Sequence, residues 1–190
     1  MQLQQLRTML RDVDTASFVD AWLRWRGSRL LPRRGDMDLH DIARNLPTIA
    51  LLEVLGPDNI LVRLAGTRLR FLSGFEATGR NYKEFTPPAD WPARSQRYLE
   101  MVGRPCGTYN TVHFELPQGP VLVFEGLNLP IDADEPGRPR QILCCLTPLD
   151  KLYRPPNPAV QSYIPASDDL VFVDIGAGVP DGAGCEPGRV

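Results

Sequence analysis

Four cysteines, two histidines and a few carboxylates in strand-like segments are the residues of this chain whose types could do chemistry. Cys106, Cys144, Cys145 and Cys185 would suit zinc or disulfides, but no pair has C-x-x-C spacing, and His40 and His113 are isolated along the sequence. No metal site is expected. Cys144 and Cys145 are adjacent in an apolar run, where a strand sends neighbouring side chains to opposite faces, so they read as small core residues. Glu53, His113 and Glu125 also fall in strand-like segments and are the candidates for the acid-base pair that an isomerase or hydratase would need. Their spacing specifies no triad, phosphate loop or metal set, so no catalytic residue is assigned.

The elements that must carry these residues follow from periodicity. Leu3, Leu6, Leu10 and Val13 recur at three- and four-residue spacing, as do Phe18, Trp22 and Trp25, which predicts one broken amphipathic helix or two short ones. Ser17 with Asp20 is the expected cap of the second helix, and Gly27 its stop. Trp22 and Trp25 would seal a sheet face or a dimer interface. Asp38 caps a short helix that ends before Pro47, and a strand over 48–55 follows with apolar residues on both faces. Gly56-Pro57-Asp58-Asn59 is turn chemistry, which makes 60–65 the return strand of a hairpin. A short helix over 67–74, a longer one over 88–102 and strands over 108–116, 121–129 and 140–146 complete the pattern, with a turn at Pro117-Gln118-Gly119-Pro120.

This order predicts an α+β domain, a five-stranded antiparallel sheet with helices on one face and the N-terminal amphipathic helix on the other. The divisions are a helical cap over 1–30, the domain over 31–153 and a Pro/Gly-rich tail over 154–190. The tail's composition predicts that it is dispensable for folding, although its apolar stretch from Leu170 to Ile175 could add a strand to a sheet edge in this chain or a partner. The apolar stripe from Leu3 to Val13 predicts a homodimer through the N-terminal helix.

The chain has 190 residues, 43% hydrophobic and 23% charged, room for one domain with an appendage. Its 21 Lys+Arg against 23 Asp+Glu leave a net charge of -2, which argues against nucleic acid as a partner. No apolar run nears the roughly 20 residues that span a bilayer. The first residues lack a signal-peptide pattern, so the expected location is the cytoplasm.

Several local sequences are similar to those of the PAS sensory domain. Leu69-Arg70-Phe71-Leu72-Ser73-Gly74-Phe75 resembles the segment where a short helix ends at a Gly-aromatic pair, Gly79-Arg80-Asn81 resembles the opening of the next helical turn, and Leu146-Thr147-Pro148-Leu149-Asp150 resembles the exit of the last strand. A narrower set, Trp22-x-x-Trp25-Arg26-Gly27, Leu31-Pro32-Arg33-x-x-Asp36-x-Asp38, Leu46-Pro47 and Arg63-Leu64-Ala65-Gly66-Thr67, is similar to a bacterial, mostly alphaproteobacterial, family of small stand-alone PAS proteins.

The resemblance implies a sensory or regulatory module that binds a small molecule between sheet and helices and signals in trans to a protein partner. A ligand-free interaction module and a small enzyme are the alternatives. Leu69, Leu72, Tyr82, Phe85, Tyr98, Phe114 and Phe124 occupy the parts of such a fold that enclose its interior, and together they imply a mainly apolar ligand. Arg63 either pairs with an acidic neighbour or anchors a ligand carboxylate. The cofactor is unknown. Light-oxygen-voltage photosensors carry a cysteine directly after Gly-Arg-Asn, and Tyr82 stands there instead, against a flavin-cysteine adduct. The stretch 88–102 has no histidine to ligate haem.

Overall fold

The computed structural model describes residues 1–115, 121–150 and 167–181. The turn expected at Pro117 to Pro120, Cys185 and most of the tail beyond 154 lie outside the described residues. Two helices lead, α1 (Leu3–Met9) and α2 (Val13–Arg26). The second starts four residues earlier than Ser17, because the Asp12 carboxylate accepts from the backbone N–H of Asp14 (2.7 Å) and Thr15 (3.4 Å) and so caps the first turn. Ser17 lies inside the helix with its hydroxyl donating to Val13 O, and Asp20 binds Arg7 at 2.5 and 2.6 Å. Gly27 does end α2.

Among the described residues the sheet has six antiparallel strands: β1 (Ile49–Gly56), β2 (Asn59–Ala65), β3 (Cys106–Glu115), β4 (Val121–Ile131), β5 (Gln141–Pro148) and β6 (Ser167–Asp174). Their spatial order is β2-β1-β5-β4-β3-β6. Five strands were expected. The sixth comes from the apolar stretch in the tail, which pairs with β3 from Cys106↔Asp174 to Val112↔Ser167 and buries Leu170, Val173 and Ile175. The sheet therefore extends past residue 153, and this stretch of the tail contributes to the core.

Both sheet faces are covered, as the two-sided apolar pattern of β1 requires. On one face α2 packs Phe18, Val19 and Trp22 over Leu127, Leu129, Ile131 and Leu143, and the Trp22 indole N–H donates to Pro130 O at 3.1 Å. Leu3 and Leu6 of α1 enter the same cluster with Val173 and Ile175. Their burial within one chain removes most of the stripe on which a dimer was expected; Val13, 66% exposed, is not part of it. The other face carries α3 (Thr67–Ser73), a 3₁₀ turn at Tyr82–Phe85 and α4 (Trp91–Gly103). No helix among the described residues is long and apolar enough to cross a membrane.

Candidate functional site

Between this second face and its helices lies a cavity of about 140 Å³. Its cause is a cross-strand row of small side chains. The pairs Ala65↔Ala50, Ala50↔Cys144, Cys144↔Asn128 and Asn128↔Thr108 run side by side across β2, β1, β5, β4 and β3, so no long side chain stands there to meet the helices. Next to this row Gly126 faces Asn110, and a Cβ on Gly126 would come within 2.9 Å of the Asn110 amide oxygen. The missing Cβ lets that amide approach the β4 backbone closely.

The helical wall is held by a second close approach. Gly66 precedes α3, and a Cβ there would run into the carbonyl oxygens of Leu46 and Pro47, while its N–H donates to Ile49 O at 2.8 Å. This contact sets α3 against the start of β1. Gly74 ends α3 at φ 74°, in the left-handed region. Asn81 then caps the 3₁₀ turn by accepting from the Lys83 N–H at 3.1 Å, and thereby places Tyr82 at the cavity wall.

Of the residues expected at the interior, Leu69, Leu72, Tyr82, Tyr98 and Phe114 do line the cavity. Phe85 and Phe124 do not. Phe85 is buried behind the wall, stacked on Phe75 with ring centroids 4.3 Å apart, and it is Phe75 that faces the space. Phe124 is fully buried beside Phe114, edge to face at 5.0 Å. Arg63 is absent from the wall too. It lies at a register shift in β2, half exposed, with Glu53 3.8 Å away on the strand beside it, so the acidic neighbour has claimed it. The acid-base candidates are elsewhere as well: none of Glu53, His113 and Glu125 lines the cavity.

The charge at the wall comes from Arg94 and Arg97 of α4 and Arg70 of α3. Arg94 is only 5% exposed and lines the cavity with Tyr98, one turn on, and Arg97. Its guanidinium donates to the Tyr82 hydroxyl at 3.3 Å, and the Tyr82 and Tyr98 rings meet edge to face at 5.7 Å. Burial works against the Arg94 charge, but Tyr82, Tyr98 and Asp90 outweigh it and the net shift of its pKa is upward. Burial, reinforced by Tyr82 and Cys144, pushes the Tyr98 phenol well above its ordinary value, so it stays protonated. Burial also pushes the Cys144 thiol up, and Cys106 and Cys145 to about 11 each, which leaves these thiols unreactive near neutral pH. Among the described residues no group of three or more His, Cys, Asp or Glu is arranged to hold a metal ion.

One strand connects the cavity with the N-terminal helices. Gly126 is in the cavity wall, while Glu125, the residue before it, points to the opposite face and is fully buried. Its carboxylate accepts from the backbone N–H of Arg11 (2.9 Å) and Asp12 (3.3 Å), the break between α1 and α2, and from the Tyr109 hydroxyl (3.1 Å).

A family model described as PAS domain matches residues 10–147. Solved structures similar to this chain include a fungal LOV domain photoreceptor, at 16% identity and TM-score 0.37, over 53% of this chain and 71% of that one. A LOV protein of Rhodobacter sphaeroides is similar at 16% identity and TM-score 0.38, over 61% of this chain and 70% of that one. A variant of RsLOV is similar at 17% identity and TM-score 0.38, over 57% and 64%. No curated protein matches the chain.

Proposed function

Because the chain belongs to the PAS domain family, we propose that it is a sensory or regulatory module that admits a small, mainly apolar molecule to the cavity and signals its occupancy in trans to a protein partner. The observation that carries this reading is the space itself, floored by a row of small side chains and walled by Leu69, Leu72, Phe114 and Tyr98. A space of about 140 Å³ is close in size to a cavity that holds a single benzene-sized ring, and falls well below those that take drug-sized ligands. The wall supplies hydrophobic contact along most of its length, with polar groups among it, which suits a ligand with an apolar body.

Transmission runs through β4. A ligand that shifts Gly126 acts on Glu125 across the pleat, and Glu125 holds the junction of α1 and α2. The N-terminal helices are thus the surface a protein partner reads, with Met9 and Val13 as exposed apolar contacts, 65% and 66% exposed, for that partner or for a second copy of the chain. The proposed setting is the cytoplasm.

Native mass spectrometry of freshly purified protein, followed by a toluene titration read by thermal shift, tests the reading. A retained mass or a saturable rise in Tm is expected. If neither is seen, the interior is filled in solution and the ligand-free interaction module replaces the sensor.

A further inference from the structure

Two carboxamides stand in the cavity wall, Asn110 of β3 and Asn128 of β4. Asn110 is opposite Gly126 and Asn128 is opposite Thr108, so the two are diagonal neighbours on one sheet face, near enough for one small molecule to touch both. The Asn128 amide has a fixed sense. Its Nδ2 donates to the Thr108 hydroxyl at 3.0 Å, and that fully buried hydroxyl gives its one proton to the Met101 sulfur at 3.8 Å. Thr108 therefore accepts from Asn128, which turns the amide oxygen the other way. No described residue donates to Asn128 Oδ1, and none donates to Asn110 Oδ1, although Asn110 is only 3% exposed. Both oxygens are still open to the cavity, since the fully enclosed unpaired side-chain atoms among the described residues are Thr15 Oγ1 and Gln141 Oε1. The Asn110 amide makes one long bond, from Nδ2 to Thr111 O at 3.4 Å, and uses the room that Gly126 leaves for it.

Resting on the cavity reading above, we propose that the ligand is a neutral molecule of about one ring that carries an O–H or N–H donor, and that Asn128 Oδ1 is the acceptor that selects it, with Asn110 Oδ1 as a second contact. Two amide oxygens that lack donors in a largely hydrocarbon space call for a proton donor, because a buried acceptor left unpaired costs more than a paired one returns. A ligand of the same shape without a donor would displace water and leave both oxygens unpaired. An anion would set its charge against the negative ends of both amide dipoles, and a cation would find no Asp or Glu among the described residues of the wall. Thr108 is absent from the wall and acts as a positioning residue, holding the Asn128 amide with its oxygen free.

The test compares phenol with fluorobenzene, whose fluorine is close in size to the hydroxyl and carries no proton, by isothermal titration calorimetry at pH 7 on the full chain. The quantity read is the ratio of the fluorobenzene Kd to the phenol Kd, in which the contribution of the shared ring cancels. That ratio should fall at least about tenfold in Asn128→Leu, fall by a smaller factor in Thr108→Val and be kept in Thr108→Ser. Benzoate should bind the unmodified protein more weakly than phenol. If Asn128→Leu does not fold, a crystal structure of the unmodified protein with phenol decides: the phenol oxygen should lie within about 3 Å of Asn128 Oδ1. An unchanged ratio in Asn128→Leu, a phenol oxygen placed elsewhere, or benzoate binding more tightly than phenol overturns the donor assignment while the cavity reading stands. An unchanged ratio in Thr108→Val overturns the positioning role of Thr108. If neither phenol nor fluorobenzene binds, the donor assignment and the cavity reading both fall.

Discussion

Phe114→Ala and Phe124→Ala together ask whether the cavity persists in solution. The two rings are edge to face at 5.0 Å and share a small cluster with Leu72, Val112 and Leu122, so each variant loses the same ring pair. They differ on their other sides, since Phe124 is enclosed by protein and Phe114 borders the cavity. Truncating a fully packed Phe costs about 3–5 kcal/mol, the range expected for Phe124→Ala. A side chain facing a void has already forfeited part of its dispersion contact there, so Phe114→Ala should cost only about 2–3.5 kcal/mol. The deleted ring also opens its own volume onto the existing space, so toluene at ten times its Kd should restore about 1.4 kcal/mol to Phe114→Ala. Urea unfolding at 25 °C and pH 7, followed by tryptophan fluorescence, measures all three quantities. Equal costs for the two variants, with no recovery in toluene, would refute the reasoning, because they would mean that Phe114 is packed on every side.

Gly66→Ala should lower Tm by several degrees, because the added methyl meets two backbone carbonyls that cannot swing away; a thermal melt within a degree of the unmodified protein would contradict the close approach. Leu6→Ala should destabilise the single chain by about 2–5 kcal/mol, because Leu6 is buried in its own core, and light scattering should show no change in particle mass. Ending the chain at residue 166 should expose the partners of Leu170 and Val173 and depress the urea midpoint clearly, against the near-invariance expected of a tail without core contacts. Stability should also fall in acid. The Gly176 N–H, with help from Gly178 and Gln2, holds the Asp174 carboxyl below its ordinary value, and Arg7 does the same for Asp20. Their stabilisation is complete above the unfolded carboxyl value, about 3.9, and is lost as pH falls through the lower folded values. A urea midpoint flat from pH 7 to 5 and falling below 4, with a shallower fall in Asp174→Asn, is the expected record.

Much of the fold was legible because one physical signal at a time decided each element. The two-sided apolar run of β1, the turn at Pro57-Asp58, the stop at Gly74 and the apolar repeat in α2 each appear where the residue pattern placed them. Ser17 misled because Ser and Asp three apart is a cap pattern anywhere, and only the extended backbone at Asp12 shows which residue uses it. The sixth strand was written in the sequence but could not be assigned, since an apolar stretch does not say which edge it joins. The cavity was half legible. Its bulky wall followed from the family resemblance, whereas its cause, Ala65, Ala50, Cys144 and Asn128 in one row, depends on register between four strands, and register is not local information. Arg94 was missed for a related reason: a helix face is read by its apolar residues, and a buried arginine among them looks like solvent-side charge until its surroundings are known. The pairing of Gly66 with Leu46-Pro47 gives a physical reason for two short motifs, distant in sequence, to occur together.

The contact between the two ends of the described chain has a consequence for how the protein is made. Gln2 forms a parallel bridge with Asp174, its amide reaches that carboxylate at 2.7 Å, and Leu3 and Leu6 pack with Val173 and Ile175. The bridged residues are 172 positions apart. At about 5–20 residues per second of synthesis, α1 emerges from the ribosome roughly 10 to 35 s before the strand that completes its burial. Helix α1, translated well before β6, is thus among the last elements to dock, and until then its two leucines are open to whatever chaperone or neighbouring nascent chain meets them.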